Sequence, residues 1–279
     1  MDLLTIVLML AAALLHASWH SLVKSGADRM VTLAGMGTVA SAGAIAALPF
    51  LPIPPAPAFP LLAASVVLHG GYKLCLARAY AHGDLGEAFP LARGMVPLFA
   101  TAIAYAALGQ VPSGGQALGV ALVSGGILVV MLDRKATARL ALWSAAAGAG
   151  LAVAFYSVLD AYGIRLAGSW ISFTAWLIVL DNLAFLGLSR AARGAGLWRD
   201  LAAERWRVLA SGLLGLASFA VFLWALSRAP VGAVSALRET SMLFAIAIGV
   251  LLHREALSGA RLAGAALMIL GVAAIAAFR

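Results

Sequence analysis

Charged side chains are scarce in this sequence. Of its 279 residues, 11% are charged and 63% are hydrophobic. A soluble domain of this composition would expose too much apolar surface to stay dispersed, so its solvent is largely lipid. The composition predicts an integral membrane protein.

Cysteine is nearly absent, and so are the motifs of common catalytic sites. Cys75 is the one cysteine of the chain, so no intrachain disulfide framework exists. The sequence contains no G-x-x-x-x-G-K-[ST], H-E-x-x-H or G-x-S-x-G pattern, which argues against nucleotide hydrolysis, zinc-protease chemistry and serine-hydrolase chemistry. We therefore expect no enzymatic activity, no cofactor and no metal site.

Acidic residues are few as well. Eleven Asp and Glu stand against 19 Lys and Arg, for a net charge of +8. The basic residues collect between apolar runs, and the longest cluster extends from Arg190 to Arg207. This distribution is typical of loops that flank a membrane, so the expected partner is the lipid bilayer and not nucleic acid.

Long apolar runs dominate what is present. The first run begins at the N-terminus without a basic stretch or a small-residue cleavage site, so we interpret it as a membrane helix and not as a signal peptide. Windows of about twenty apolar residues predict ten transmembrane helices and an all-α fold. The windows are 3–24, 29–50, 60–81, 85–108, 113–132, 141–163, 169–190, 205–228, 231–252 and 258–278.

The chain also repeats itself. A shift of 145 residues aligns 93–126 with 238–271, and twelve of the 34 positions are identical. The repeat predicts two five-helix halves in one membrane domain, residues 1–135 and 136–279. Because five is odd, the second half enters from the opposite face, so the two repeats are inverted, as in transporters that work by alternating access.

Three segments carry a family resemblance: "LLHASWHSLVK" (14–24), "LARGMVPLFATAIAYAALGQ" (91–110) and the stretch from "LRETSMLF" (237–244) through the tenth helix. In order and repetition they resemble the EamA-type branch of the drug/metabolite transporter superfamily. The resemblance implies ten helices, secondary transport without nucleotide hydrolysis, and usually export of amino acids or other small metabolites. One departure is Gln110, where the first repeat usually ends its helix with Gly-Glu, whereas Glu255 keeps the acid in the second repeat.

Two arginines lie deep within predicted spans. Arg93 and Arg238 are about eight residues inside their helices, or roughly 12 Å at a rise of 1.5 Å per residue. A cation at that depth needs a wet cavity or a partner. The inverted repeat brings the two toward the midplane from opposite faces, so we expect a cationic pair that holds an anion, with Glu87 and Glu239 as candidate neutralising groups. The alternative is that each arginine only ties its helix to a neighbour.

Polar stripes at helical spacing predict a hydrated cavity lined by aromatic rings. His16, His20 and Lys24 recur at i, i+4 and i+8 on the first helix, and lipid cannot solvate such a stripe. A second stripe pairs His69 with Lys73. The expected substrate-binding residues are His16, Trp19, His20, Tyr72, Lys73, Arg93, Tyr156, Trp176 and Arg238, and the candidates for proton coupling are Glu87, Asp160, Asp181 and Glu239.

These features predict a secondary transporter, with export as the expected direction, of small polar or amphipathic metabolites such as amino acids or other carboxylate-bearing anions. Efflux of drugs or other cations is the alternative, with the four acids as binding groups, and an intramembrane enzyme or a non-transporting scaffold is the alternative from another class. The expected location is a bacterial inner membrane. Protons are the candidate coupling ion, and a homodimer is left open.

The orientation of the chain receives two opposed predictions. Twelve Lys and Arg lie on the side of the odd-to-even connections and three on the other side. The positive-inside rule then places both termini outside the cytoplasm. The family resemblance implies cytoplasmic termini.

Overall fold

The computed structural model describes residues 1–26, 28–82, 90, 92–131, 140–253 and 257–277. These residues form helices and short connections, and none of them lies in a strand. The helices are α1 (Leu3–Lys24), α2 (Arg29–Ala47), α3 (Ala58–His82), α4 (Val96–Leu108), α5 (Gly114–Met131), α6 (Leu140–Ala167), α7 (Trp170–Arg193), α8 (Gly196–Ala203), α9 (Arg205–Leu226), α10 (Val231–Glu239), α11 (Ser241–His253) and α12 (Gly259–Ala277). A 3-10 turn, Leu48–Phe50, extends α2.

The prediction of an all-helical membrane protein is confirmed. Within the described ranges, nine helical segments are long and apolar enough to cross a membrane, and Val231–Leu251, which joins α10 and α11, is one of them. The predicted fourth segment contributes a shorter apolar helix, Ala92–Leu108, and most of its first seven residues lie outside the described ranges.

Local side chains fix where several helices begin and end. The Asp2 side chain accepts a hydrogen bond from the Thr5 amide at 2.7 Å and caps α1, and this contact lowers the pKa of the Asp2 carboxyl. Ser169 caps α7 in the same way, through the Ser172 amide. Gly109 ends α4 with φ of 64°, a left-handed conformation that favours glycine.

The helix contacts follow the predicted two-fold relation between the halves. That relation exchanges α1 with α6 and α3 with α9, and α3 packs on α6 just as α1 packs on α9. It maps two other pairs onto themselves, and these pairs are also in contact: α2 with α7, and α5 with α12. The fourth and ninth spans, which the relation also exchanges, meet through α4 and α10. The division of the chain into 1–135 and 136–279 stays a prediction, since its boundary lies at residues that the structure does not describe.

Glycines set the close approach of α5 and α12. A Cβ on Gly119 would lie 2.7 Å from the Gly271 carbonyl oxygen, and a Cβ on Gly126 would lie 2.6 Å from that of Gly264. The 145-residue register pairs Gly119 with Gly264 and Gly126 with Gly271, so each contact is the symmetry equivalent of the other. These glycines allow two backbones to touch, as small residues do in membrane helix pairs.

The fourth and ninth spans are both interrupted, and at equivalent positions. A turn at Met95 precedes α4, and Thr240 separates α10 from α11. Met95 and Thr240 are 145 residues apart. Each break follows its arginine by two residues, so Arg93 and Arg238 lie in the last turn before the interruption.

The two sides of the bundle differ in packing. We call the side of the bundle where α1 begins the N-terminal side. The opposite side bears the basic connections between helices, and we call it the basic side. The largest apolar cluster gathers on the N-terminal side, with members from the beginnings of α1, α3, α7 and α10 and the ends of α4, α6 and α9; these include Ile6, Leu62, Ala104, Ile164, Phe173, Leu226 and Val231. This cluster seals the bundle there.

The basic cluster from Arg190 to Arg207 forms more than a loop. It contains the short helix α8, whose Leu197 is fully buried whereas Trp198 is half exposed. Arg193 pairs with Asp28 and, at 2.8 Å, with Asp200. These ion pairs tie the ends of α2, α7 and α8 together on the basic side.

Candidate functional site

A cavity of about 160 Å³ lies among the helices, opposite the sealed N-terminal side. Its wall includes residues from the second halves of α1, α3 and α7 and the first half of α2, which all lie toward the basic side. The wall consists of His16, Trp19, His20, Met36, Gly37, Ala40, His69, Tyr72, Lys73, Arg93, Tyr156, Leu177, Ile178, Asp181, Asn182, Gly215, Leu216, Phe219 and Arg238. Eight of the nine expected substrate-binding residues are in this set.

The ninth, Trp176, is placed elsewhere. Its ring packs edge-on against Phe59, with centroids 5.9 Å apart, and against the apolar cluster of the N-terminal side. Three of the four expected proton-coupling acids lie in the wall or behind it: Asp181 is in the wall, Glu239 is buried against the wall residue Arg93, and Asp160 is buried against Ser65. Glu87 lies outside the described residues.

Arg93 forms a buried ion pair across the two repeats. Its Nε donates to Glu239 Oε2 at 2.8 Å, and the two side chains are 3% and 2% exposed. Glu239 pairs with Arg93 and not with its sequence neighbour Arg238, because adjacent side chains on a helix point about 100° apart. The charge of Arg93 is therefore balanced from within the protein.

Arg238 occupies a different environment. Its guanidinium carbon lies 4.1 Å from the centroid of the Phe222 ring, a cation–π contact. Its Nη1 is buried without a hydrogen-bond partner, and Arg238 forms no ion pair among the described residues. Arg238 thus presents donors and a positive charge at the cavity wall.

Lys73 and Asp181 form a second ion pair in the wall. Lys73 Nζ lies 2.8 Å and 3.0 Å from the two carboxylate oxygens of Asp181, and it also approaches the Phe185 ring at 4.8 Å. The Lys73 and Asp181 side chains are 31% and 17% exposed. The sequence had assigned these two residues to separate roles, whereas in the structure each neutralises the other.

The two histidines of the α1 stripe form a compact aromatic group with Trp19. The His20 ring stacks on Trp19, with centroids 3.7 Å apart, and His16 packs edge-on against both. His16 Nε2 and His20 Nε2 are 3.2 Å apart. One of these nitrogens must accept the hydrogen bond, so the two imidazoles are not both doubly protonated.

A second group of aromatic and polar residues extends from the wall into the bundle. His69 stacks on Tyr156, with centroids 3.8 Å apart, and its Nδ1 lies 2.9 Å from the Ser65 carbonyl oxygen. Ser65 Oγ donates to Asp160 Oδ1 at 2.6 Å. Ser65 and Phe222 were not selected from the sequence; the spacing of Ser65 and His69 at i, i+4 was the available signal for Ser65, and Phe222 lacked one because it stands in a continuous apolar run.

Comparison with known proteins agrees with this architecture. Residues 142–277 match the model of the EamA-like transporter family, part of the drug/metabolite transporter superfamily, so the resemblance seen in the sequence is confirmed. A solved crystal structure superimposes with a TM-score of 0.73 over 97% of this chain and 94% of its own, at 17% identity, which shows a common fold. No curated protein sequence matches the chain.

Proposed function

Since the second half of this multi-pass membrane protein matches the EamA-like transporter family, we propose that the chain is a secondary transporter of small metabolites that carry a carboxylate or another anionic group. The family match supports transport of a small molecule across the bilayer. The substrate class is argued from the charges of the cavity, and the mechanism from its position.

The environment of Arg238 is the main argument that the substrate is an anion. Among the described charges at the wall, Arg93 is balanced by Glu239 and Lys73 by Asp181. Arg238 is left with an aromatic ring beneath it and a buried nitrogen that lacks an acceptor. A carboxylate would accept from the planar guanidinium fork, balance its charge and complete its hydrogen bonding.

The same pairings disfavour the alternative of cation efflux. Asp181 and Glu239 already neutralise a cation each, and Asp160 is fully buried and bound by Ser65. A cationic substrate would have to displace one of these partners. An anion meets no such competition at Arg238.

The position of the cavity supports alternating access. The apolar cluster seals the N-terminal side, and the cavity lies toward the basic side. If the basic side is cytoplasmic, as the positive-inside rule predicts, this conformation takes up a substrate from the cytoplasm, which suits an exporter. Exchange of the conformations of the two inverted halves would produce the opposite state.

Transport by the purified protein tests the proposal. Proteoliposomes are loaded with isotopically labelled amino acids and monocarboxylates, and in parallel with the carboxamides of the same compounds. We expect efflux above that of protein-free vesicles for a subset of the carboxylates and not for their amides. Efflux of the amides at equal rates would overturn the anion proposal, and efflux of cationic drugs alone would favour the alternative.

A further inference from the structure

Asp160 differs from the other acids that adjoin the cavity. Its side chain is completely buried, and among the described residues no cation pairs with it. Oδ1 accepts from Ser65, and Oδ2 is buried without a hydrogen-bond partner. An uncompensated carboxylate in such a place is costly, so Asp160 is suited to take up a proton, whereas Glu239 and Asp181 are held by their cations.

A hydrogen-bonded chain connects Asp160 to the cavity wall. His69 is a wall residue, and its Nδ1 must donate to the Ser65 carbonyl oxygen, since a carbonyl can only accept. The same Nδ1 lies 3.3 Å from Ser65 Oγ, and Ser65 Oγ donates to Asp160 Oδ1. The other ring nitrogen of His69, Nε2, is buried without a partner among the described residues.

We propose that His69, Ser65 and Asp160 form a proton relay that links the cavity wall to Asp160. His69 Nε2 is buried at the wall, so it accepts a proton from cavity water when the side chains of the wall move and admit that water, and Nδ1 releases its proton to Ser65 Oγ. Ser65 Oγ passes its own proton to Asp160 Oδ1. The net result is that one proton moves from the cavity to Asp160, while His69 and Ser65 end with the number of protons that they had before. Asp160 releases the proton to the cavity through the same steps in reverse.

The surroundings of the relay connect it to the substrate site. The His69 ring stacks on Tyr156, and Asp160 follows Tyr156 by one turn of α6. Among the described residues, Asp181 and Arg238 are charged groups of the cavity wall that act on Asp160 electrostatically. An anion at Arg238 would weaken the positive field on Asp160 and favour its protonated form. Coupling of the relay to substrate rests on the proposed transport function, whereas proton uptake by Asp160 does not.

Infrared difference spectroscopy tests the relay without a substrate. Spectra of the lipid-reconstituted protein are recorded between acidic and alkaline buffer, in H2O and D2O. We expect Asp160→Asn to remove one protonated-carboxyl band of the wild type, and Ser65→Ala to move that band to higher frequency because its hydrogen bond is lost. His69→Gln should slow hydrogen–deuterium exchange of the band. Ser157→Ala is the control. Ser157 lies on α6, as Asp160 does, but its hydroxyl donates to the Val153 carbonyl oxygen and not to the relay.

The outcomes separate the relay from a structural role. An Asp160→Asn spectrum identical to that of the wild type overturns proton uptake by Asp160, and exchange unaffected by both Ser65→Ala and His69→Gln overturns the relay. With a carboxylate that the wild type transports, Asp160→Asn should retain exchange of labelled for unlabelled substrate and lose accumulation driven by a pH gradient. Loss of both processes indicates a structural role. Absence of any transport by the wild type counts against the proposed function and leaves the infrared result standing.

Discussion

Gln110 Oε1 accepts a hydrogen bond from the Val231 amide at 3.0 Å, which joins the second residue after α4 to the first residue of α10 on the N-terminal side. The amide at the start of a helix lacks an intrahelical acceptor, so Gln110 supplies one from the other repeat. Nearby, Gly232 lies directly against Thr101. Gln110 therefore acts as a latch between two symmetry-related spans.

Removal of the latch should loosen the sealed side. We expect Gln110→Ala to lower the stability of the conformation with a closed N-terminal side by about 1 kcal/mol. Maleimide should then label a cysteine introduced by Thr101→Cys, in a Cys75→Ser background, at a higher rate. Gln116→Ala is the matched control, because Gln116 accepts from Ser113 within its own turn and, among the described residues, its side chain forms no hydrogen bond to another helix. Equal labelling in the two variants would show that Gln110 is not a latch.

Arg238 should determine substrate affinity. Arg238→Ala removes a charge-assisted contact, which costs about 1.5–3 kcal/mol, or about ten- to a hundredfold in affinity. Arg238→Lys keeps the charge but loses the guanidinium fork, so it should cost less. Affinity for a transported carboxylate and the melting temperature are measured on the same purified variants. A protein with Arg238→Ala that melts early but binds normally would assign the arginine a structural role.

The Arg93–Glu239 pair should matter for stability. Glu239→Gln removes the carboxylate from a nearly fully buried arginine, and loss of one partner of a buried pair costs about 3–5 kcal/mol. We expect a clear fall in melting temperature, with recovery of part of it in Arg93→Met combined with Glu239→Leu. Lys73→Met, which breaks a pair that is partly exposed, should lower the melting temperature less. The reverse order would contradict the assignment.

Two adjacent glycines offer a test of the α5–α12 contact. Gly126→Ala places a Cβ against the Gly264 carbonyl oxygen and Met268, whereas Gly125→Ala meets no atom within 4 Å. Overpacking costs about 1–3 kcal/mol, so Gly126→Ala should melt lower than the wild type. Gly125→Ala should be neutral or slightly stabilising, since alanine is the better helix former. Thermal unfolding followed by circular dichroism compares the two, and equal melting temperatures would refute close packing at Gly126.

Much of the architecture was predictable because its signals are local or periodic. Apolar windows follow from the thickness of the bilayer, and the 145-residue register fixed which helices are equivalent. Histidines at i, i+4 must share a helix face, so the cavity lining on α1 and α3 was accessible from spacing alone. The exception on this level is Trp176: its aromatic ring suits a pocket and an apolar core equally well, and only packing against Phe59 decided between them.

What the sequence alone determined is the membrane class, the order of the apolar helices, their two-fold equivalence and nine of the 19 residues of the cavity wall. The tertiary structure decided which charges cancel. Lys73 and Asp181 are 108 positions apart, and Arg93 and Glu239 are 146 apart. Such pairs form when packing brings the charged atoms of two distant helices to 2.8 Å from each other, and no periodicity encodes that distance. Arg238 is distinguished as the wall cation without an acidic partner among the described residues only after those pairs are known, because an ion pair is a property of two positions in space.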